Sequence, residues 1–264
     1  MHSPSRTEYT SAIIRAGACL DETRLMLSLW DLSQNAKQNL DRFQQGDLFG
    51  KASRSWVKQF LLALRRRYLT DPETTRALVT LAQGDFPLLD LDRILFFHAA
   101  LSDRLLHDTV SQYFWDLRAQ GQKRVDTSVM IETLRGWVNQ GKTATPWNET
   151  TLSRAARNLL ATLRDFGLLE GTVHKRIVIP FLPLASFSYI AFFLHRQGAA
   201  GKELCSHPAW RLFFLVPNMV ERFLLEVHQQ RYLQYFVAGN TVRLEFPTRS
   251  LEEYAHVILD RTFS

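Results

Sequence analysis

Arginine and lysine recur in this chain at spacings that gather them on single helix faces. Arg154, Arg157 and Arg164 stand at i, i+3 and i+10. Lys51, Arg54, Lys58 and Arg65 stand at i, i+3, i+7 and i+14. Both sets fit a period of about 3.6 residues. Lys175 and Arg176 are adjacent at the head of an apolar run, Ile177-Val178-Ile179. Groups that stay cationic at neutral pH and carry several N–H donors bind phosphate oxygens, and a guanidinium fork can hold two at once. Few Asn or Gln share these faces, so the chemistry expected is contact with a nucleic-acid backbone with weak sequence preference. A solvated helix face accounts for the same charges, and Arg66 and Arg67 also suit the carboxyl end of a helix dipole.

Other chemistry is poorly provided for. Gly136-Trp137-Val138-Asn139-Gln140-Gly141-Lys142-Thr143 satisfies G-x-x-x-x-G-K-[ST], the phosphate-loop pattern. That loop needs a strand before it and a helix starting at its lysine. Here Thr127–Val138 reads as a helix, and Pro146 would interrupt one beginning at Lys142. Val257-Ile258-Leu259-Asp260 resembles the partner Mg²⁺ motif but sits at the end of an expected helix. The eight His show no HExxH or HxH spacing. His98 and His107 fall among aromatic residues, and His195, His207 and His228 near helix ends. Asp90 with Asp92, and Glu252 with Glu253, read as helix-start or surface carboxylates. Cys19 and Cys205 fit no metal spacing and read as two buried free thiols in a reducing compartment. No G-x-S-x-G elbow is present. No catalytic residue, cofactor or metal is expected.

Helices and hairpins must place the basic residues. Asn148 is a suitable N-cap with Glu149 in the first turn. Leu152, Ala155, Ala156, Leu159, Leu160, Leu163 and Phe166 then recur at helical spacing, opposite the arginines. Gly167 ends the helix. Leu168–Gly171 and Lys175–Ile179 read as two strands around a turn. A helix followed at once by a basic hairpin outlines a winged helix. Trp56, Val57, Phe60, Leu61, Leu64 and Tyr68 form a matching stripe on Ser53–Leu69. Tyr9–Trp30 reads as a helix with a break near Gly17, and Asn35–Phe43 as a second, with a loop at Gln45-Gly46-Asp47. Helices are expected from Pro72 to the break at Gly84, over Leu91–Ala100, and over Asp103–Leu117. Asn218–Gln230, a hairpin of Tyr232–Val237 and Thr241–Phe246 about Gly239-Asn240, and Leu251–Leu259 close the chain. The fold class expected is mainly α, with one or two winged-helix-like DNA-binding units and short β-hairpin wings.

Charge divides the chain into blocks. Residues 1–70 carry 11 Lys/Arg against 6 Asp/Glu, 71–120 carry 4 against 8, 121–182 carry 9 against 5, and 183–264 carry 8 against 7. The organisation expected is an N-terminal helical, helix-turn-helix-like basic unit (1–70), an acidic aromatic core (71–120), a winged-helix unit (121–182), and an α/β cap with a hairpin (183–264). The net charge of +6 permits an anionic partner. Met1-His2-Ser3-Pro4-Ser5-Arg6 lacks the apolar stretch of a secretory signal. Ile177–Leu194 is free of charge over 18 residues, but Pro180 and Pro183 leave too short a helix to span a bilayer. It reads as a wing strand to Phe181, a proline turn, and a buried helix over Leu184–Arg196. A cytoplasmic protein with no membrane partner is expected.

Short motifs then carry a resemblance. Tyr9-Thr10-Ser11, Glu22-Thr23-Arg24 before an apolar helix, Asn39-Leu40, Ser53 ahead of a helix ending Leu64-Arg65-Arg66-Arg67, and Leu163-Arg164-Asp165-Phe166-Gly167-Leu168-Leu169 together resemble the BrxA family of BREX bacteriophage-defence systems. The resemblance covers about residues 9–182. It implies a mainly helical, non-enzymatic component of a bacterial defence island that binds double-stranded DNA, beside other defence-system proteins. Members are sometimes labelled inner-membrane proteins, which the proline-interrupted run argues against. Lys51, Arg54, Lys58, Arg65, Arg154, Arg157, Arg164, Lys175 and Arg176 are the expected DNA contacts. An interaction scaffold, using the 88–117 and 204–224 segments as surfaces, and an RNA-binding helical module are the alternatives.

Overall fold

Polar caps set where several of the helices begin. The computed structural model describes residues 8–46, 48–50, 53–143, 145–239 and 241–262. Lys51, Asp47, Asn240 and the Met1–Arg6 segment lie outside the described residues. After a 3-10 turn at Ser11–Ile14 come α1 (Leu20–Ser28), α2 (Ala36–Gln45), α3 (Arg54–Tyr68) and α4 (Pro72–Gln83). Asn35 and Gln38 form a reciprocal capping box on α2, Ser53 accepts from the Trp56 N–H on α3, and Asp71 precedes Pro72 at the start of α4. The break expected near Gly17 in the Tyr9–Trp30 helix is present, and it separates a 3-10 turn from α1. Residues 15–19 are non-helical, and Cys19 has φ 49°, which an α-helix does not accept.

The interior is built on α5 (Leu88–Ser102), where every residue from Asp90 to Ala100 except Asp92 is buried. α6 (Arg104–Asp108) runs through a π-helical segment, Thr109–Phe114, into α7 (Trp115–Ala119). Next come β1 (Arg124–Val125), α8 (Thr127–Asn139), α9 (Glu149–Asp165), β2 (Leu169–Glu170) and β3 (Lys175–Ile177). β1, β3 and β2 form an antiparallel sheet in that order, with Arg124 opposite Arg176 and Leu169 opposite Ile177. Strand, two helices, and a hairpin that returns to the first strand is a winged-helix-like order.

The chain then enters α10 (Leu184–Arg196), which is buried almost throughout, as expected of the charge-free run. α11 (Gly201–Cys205), a 3-10 helix (Pro208–Phe213), α12 (Pro217–Gln229), the hairpin β4 (Gln234–Ala238) and β5 (Thr241–Glu245), and α13 (Leu251–Thr262) complete the chain. α13 packs on α4 and α10, and Phe192 of α10 stacks on Tyr254 at 4.4 Å. Buried side chains from all four charge blocks join one continuous core. Among the described residues no helix is long and apolar enough to cross a membrane.

Candidate nucleic-acid interface

α9 holds its arginines outward because its other side is fully committed. Leu152, Ala155, Ala156, Leu159, Leu160 and Leu163 are buried. Asn148 accepts the Thr151 N–H at 2.8 Å and fixes the start. At the far end Gly167, at φ +76°, lets the Gly167 and Leu168 N–H groups bond back to Arg164 and Leu163. Arg93, buried in α5, clamps this end. Its Nη1 donates to the Phe166 carbonyl at 2.6 Å and its Nε to the Phe181 carbonyl at 2.8 Å. The helix and the segment leaving the wing are thus tied to one side chain of the core.

Arg154, Arg157 and Arg164 are all exposed. Arg154 has no acidic partner among the described residues, and Arg157 makes only a turn-back bond from Nε to the Ser153 carbonyl at 3.2 Å. Arg164 pairs with Asp165 at 3.0 Å. Such a surface pair contributes about 0–1 kcal/mol, so a phosphate displaces the carboxylate at little cost. Asn158 shares this side of the helix, and its amide already donates to the Arg154 carbonyl at 2.9 Å.

The wing is less positive than the sequence implies. Arg176 pairs with Glu170 on the neighbouring strand at 2.8 Å, and Lys175 is half-buried with Nζ donating to the Thr172 carbonyl at 2.7 Å. Arg124 on β1 stands opposite Arg176, held by Asp126 and donating to His174 Nδ1 at 2.8 Å. Arg124 joins this surface only through strand pairing. Its signal in the sequence was the Lys123-Arg124 pair, which spacing alone does not connect to the wing.

On α3, Arg54, Lys58 and Arg65 are exposed on the side away from Val57, Phe60, Leu61, Leu64 and Tyr68, and Lys51 lies outside the described residues. Arg67 departs from the expected run of surface charge. It is 8% exposed and donates to the main-chain carbonyls of Gly17 at 2.7 Å and Ala16 at 3.2 Å. The Ala16-Gly17 strap so held also abuts α9, where a Cβ on Gly17 would lie 3.5 Å from Thr162 Oγ1. One strap therefore touches both basic helices. Arg15 and Arg66, exposed on either side of the groove it forms with α3, were not singled out by spacing.

The structure places the residues of other chemistries elsewhere. Gly136 is inside α8, so helix rather than strand leads into it, and the next helix starts at Glu149. Gly141 and Lys142 close α8 by bonding back to Val138 and Trp137, and Lys142 Nζ lies 5.3 Å from the Trp137 ring and 5.7 Å from the Tyr9 ring. Its charge serves packing, and the phosphate-loop spacing is a helix C-cap. The Val257–Asp260 run lies inside α13. His98 shares a hydrogen bond with the Tyr189 hydroxyl at 2.9 Å, and burial pushes it down to about 3. Asp90 is a helix-start carboxylate, in the first turn of α5, but neither it nor Asp92 is a surface group. Asp90 is buried, and Asp92 accepts both Nη1 contacts from Arg24 at 2.9 Å. Both cysteines are free, Cys205 buried and Cys19 half-buried, and burial raises both thiols to about 11. Among the described residues no group of three or more His, Cys, Asp or Glu is placed to hold a metal.

Comparisons with known proteins agree with this arrangement at the level of fold. The magnesium-ion-bound crystal structure of SspB is similar with a TM-score of 0.60 at 14% identity, covering 99% of this chain and 90% of SspB. A second SspB crystal structure gives 0.51 at 12% identity over the same shares. A comparison with curated proteins gives no match. The BrxA family model matches residues 7–192. That span holds the strap, both basic helices, the wing and the first two thirds of α10, and on this match the chain belongs to the BrxA family.

Proposed function

We propose that this protein is a non-enzymatic, double-stranded-DNA-binding component of a bacterial BREX phage-defence system, acting in the cytoplasm with low sequence preference. The observation that carries the reading is α9. It occupies the second-helix position of a winged-helix-like unit and presents Arg154 and Arg157 to solvent without carboxylate partners among the described residues. Arg164, the wing residues Lys175, Arg176 and Arg124, and the α3 residues Arg54, Lys58 and Arg65, with Lys51 ahead of them, extend the positive surface. Phosphate contact supplies the affinity, and the single amide at Asn158, already bonded to main chain, leaves little for base reading. Family membership supports the defence role. Of the two segments named for the scaffold reading, 88–117 is mostly buried, while about half of 204–224 remains at or near the surface.

Duplex affinity measured by fluorescence anisotropy from 50 to 300 mM salt tests the proposal, on conditions set by the steepness of counterion release. Arg154→Glu with Arg157→Glu weakens binding and lowers the slope of log K against log salt by about 1.8, two contacts at about 0.9 each. An unchanged affinity and slope sinks the assignment. Structured RNA that outcompetes duplex DNA at equal length replaces DNA by RNA as the partner.

A further inference from the structure

Between the 3-10 turn Ser11–Ile14 and α3 runs a groove of about 220 Å³. Arg15 stands on the strap side and Arg66 on the α3 side, both exposed and neither with a carboxylate partner among the described residues. Ala12, Ala16 and Ala63 line it beside Gln59 and Leu62. The buried Arg67 also lines it, its guanidinium donating to main-chain carbonyls and its charge facing the buried Asp103. The carboxylate present, Asp103, accepts the Leu105 and Leu106 N–H groups at the head of α6. Three guanidinium groups thus share one groove with one carboxylate. A concave wall of low dielectric focuses such an excess of positive charge.

We infer that the Arg15–Arg66 groove is a phosphate-binding site separate from the exposed face of α9. Its volume lies below the roughly 300–1,000 Å³ of pockets that enclose drug-sized ligands, and suits a phosphate or pyrophosphate group. Arg66 is one residue past Arg65 and so about 100° around α3 from the Arg54–Lys58–Arg65 face. The site is therefore not part of the surface already assigned to α3. The phosphate can belong to a duplex backbone or to a free phosphate compound. The first source rests on the proposed DNA binding, and the strap that lines the groove is the one that abuts α9.

Arg15→Ala with Arg66→Ala is the test variant, and Lys37→Ala with Arg249→Ala, exposed positions elsewhere, removes equal charge as a control. In thermal melts of the full chain, inorganic pyrophosphate at several times its dissociation constant raises the melting temperature of the wild type and control by about 2–4 °C and leaves the test variant unmoved. No rise in the wild type, or an equal rise in all three proteins, overturns the site. In the anisotropy titration the test variant lowers the salt slope by about 1.8 if the groove holds duplex phosphates. Lost pyrophosphate protection with an unchanged slope assigns the groove to a free phosphate compound and overturns its part in DNA binding. A wild type that binds no duplex overturns the proposed function, while the melts still decide the groove.

Discussion

Arg93 is the residue where the proposed interface meets the core. It is 7% exposed, and both of its hydrogen bonds go to main-chain carbonyls beyond the ends of α9 and the wing. Arg93→Leu leaves the Phe166 and Phe181 carbonyls without a donor, at a cost of about 2–4 kcal/mol, read as a lower urea midpoint. Nothing in the sequence marks this role, since Arg93 sits in an apolar helix and its partners lie 73 and 88 residues away. Two other buried groups oppose each other in pH. Burial pushes Asp90 up to about 6 from 3.8, so between those values the folded chain holds a proton that the unfolded chain releases. Its contribution is full below about pH 4 and is lost as the pH rises to about 6. His98, pushed down to about 3 from 6.5, contributes above 6.5 and loses that contribution as the pH falls. Asp90→Asn removes the first effect alone. Its stability relative to wild type should rise by up to about 1.4 kcal/mol per pH unit across that window and level off above it. Urea melts from pH 4 to 7 measure this, and a constant difference refutes the Asp90 assignment.

The helices were legible where local chemistry sets them. Asn148 caps α9, Ser53 caps α3 and Gly167 closes α9 as their residue types require. Asn148→Ala should remove about 1 kcal/mol through the lost Thr151 N–H partner. Gly167→Ala should cost about 2 kcal/mol, because a side chain at φ +76° is strained and its Cβ would lie 3.1 Å from Arg93 Nη1. Both follow from thermal or urea unfolding, and Gly167→Ala should also loosen the wing in hydrogen exchange. β1 was not legible. It is two residues long and exists as a strand only because β3 pairs with it. The same non-local pairing brings Arg124 beside Arg176. Arg67 was misplaced for a related reason, since helical spacing cannot show that a folded-back strap offers two carbonyls to it.

Across the whole molecule, the part matched by the family model does not carry its own surface. α10 is covered by α12 and α13, and α13 also covers α4. Cutting the chain after Arg196 would bare Phe187, which stacks on Trp210 at 4.7 Å, and Phe192, which stacks on Tyr254. Such a truncation should lose cooperative unfolding and aggregate, as seen by circular dichroism melts and light scattering, and a sharp melt from a monodisperse fragment would contradict it. The C-terminal elements were legible one by one, but not as a cover, because the apolar faces of α4, α10 and α13 find each other over long stretches of sequence.

The strap at the start of the described chain also has a consequence in time. Tyr9 donates its hydroxyl to Asp108, 99 residues on, and its N–H to the Lys142 carbonyl, while its ring packs on Trp137. At roughly 5–20 residues per second of synthesis, Asp108 follows Tyr9 from the ribosome by about 5–20 s. This strap, made before its partners, is thus locked late. Until α8 and the turn after it have emerged, the backing of the basic helices waits on residues not yet translated.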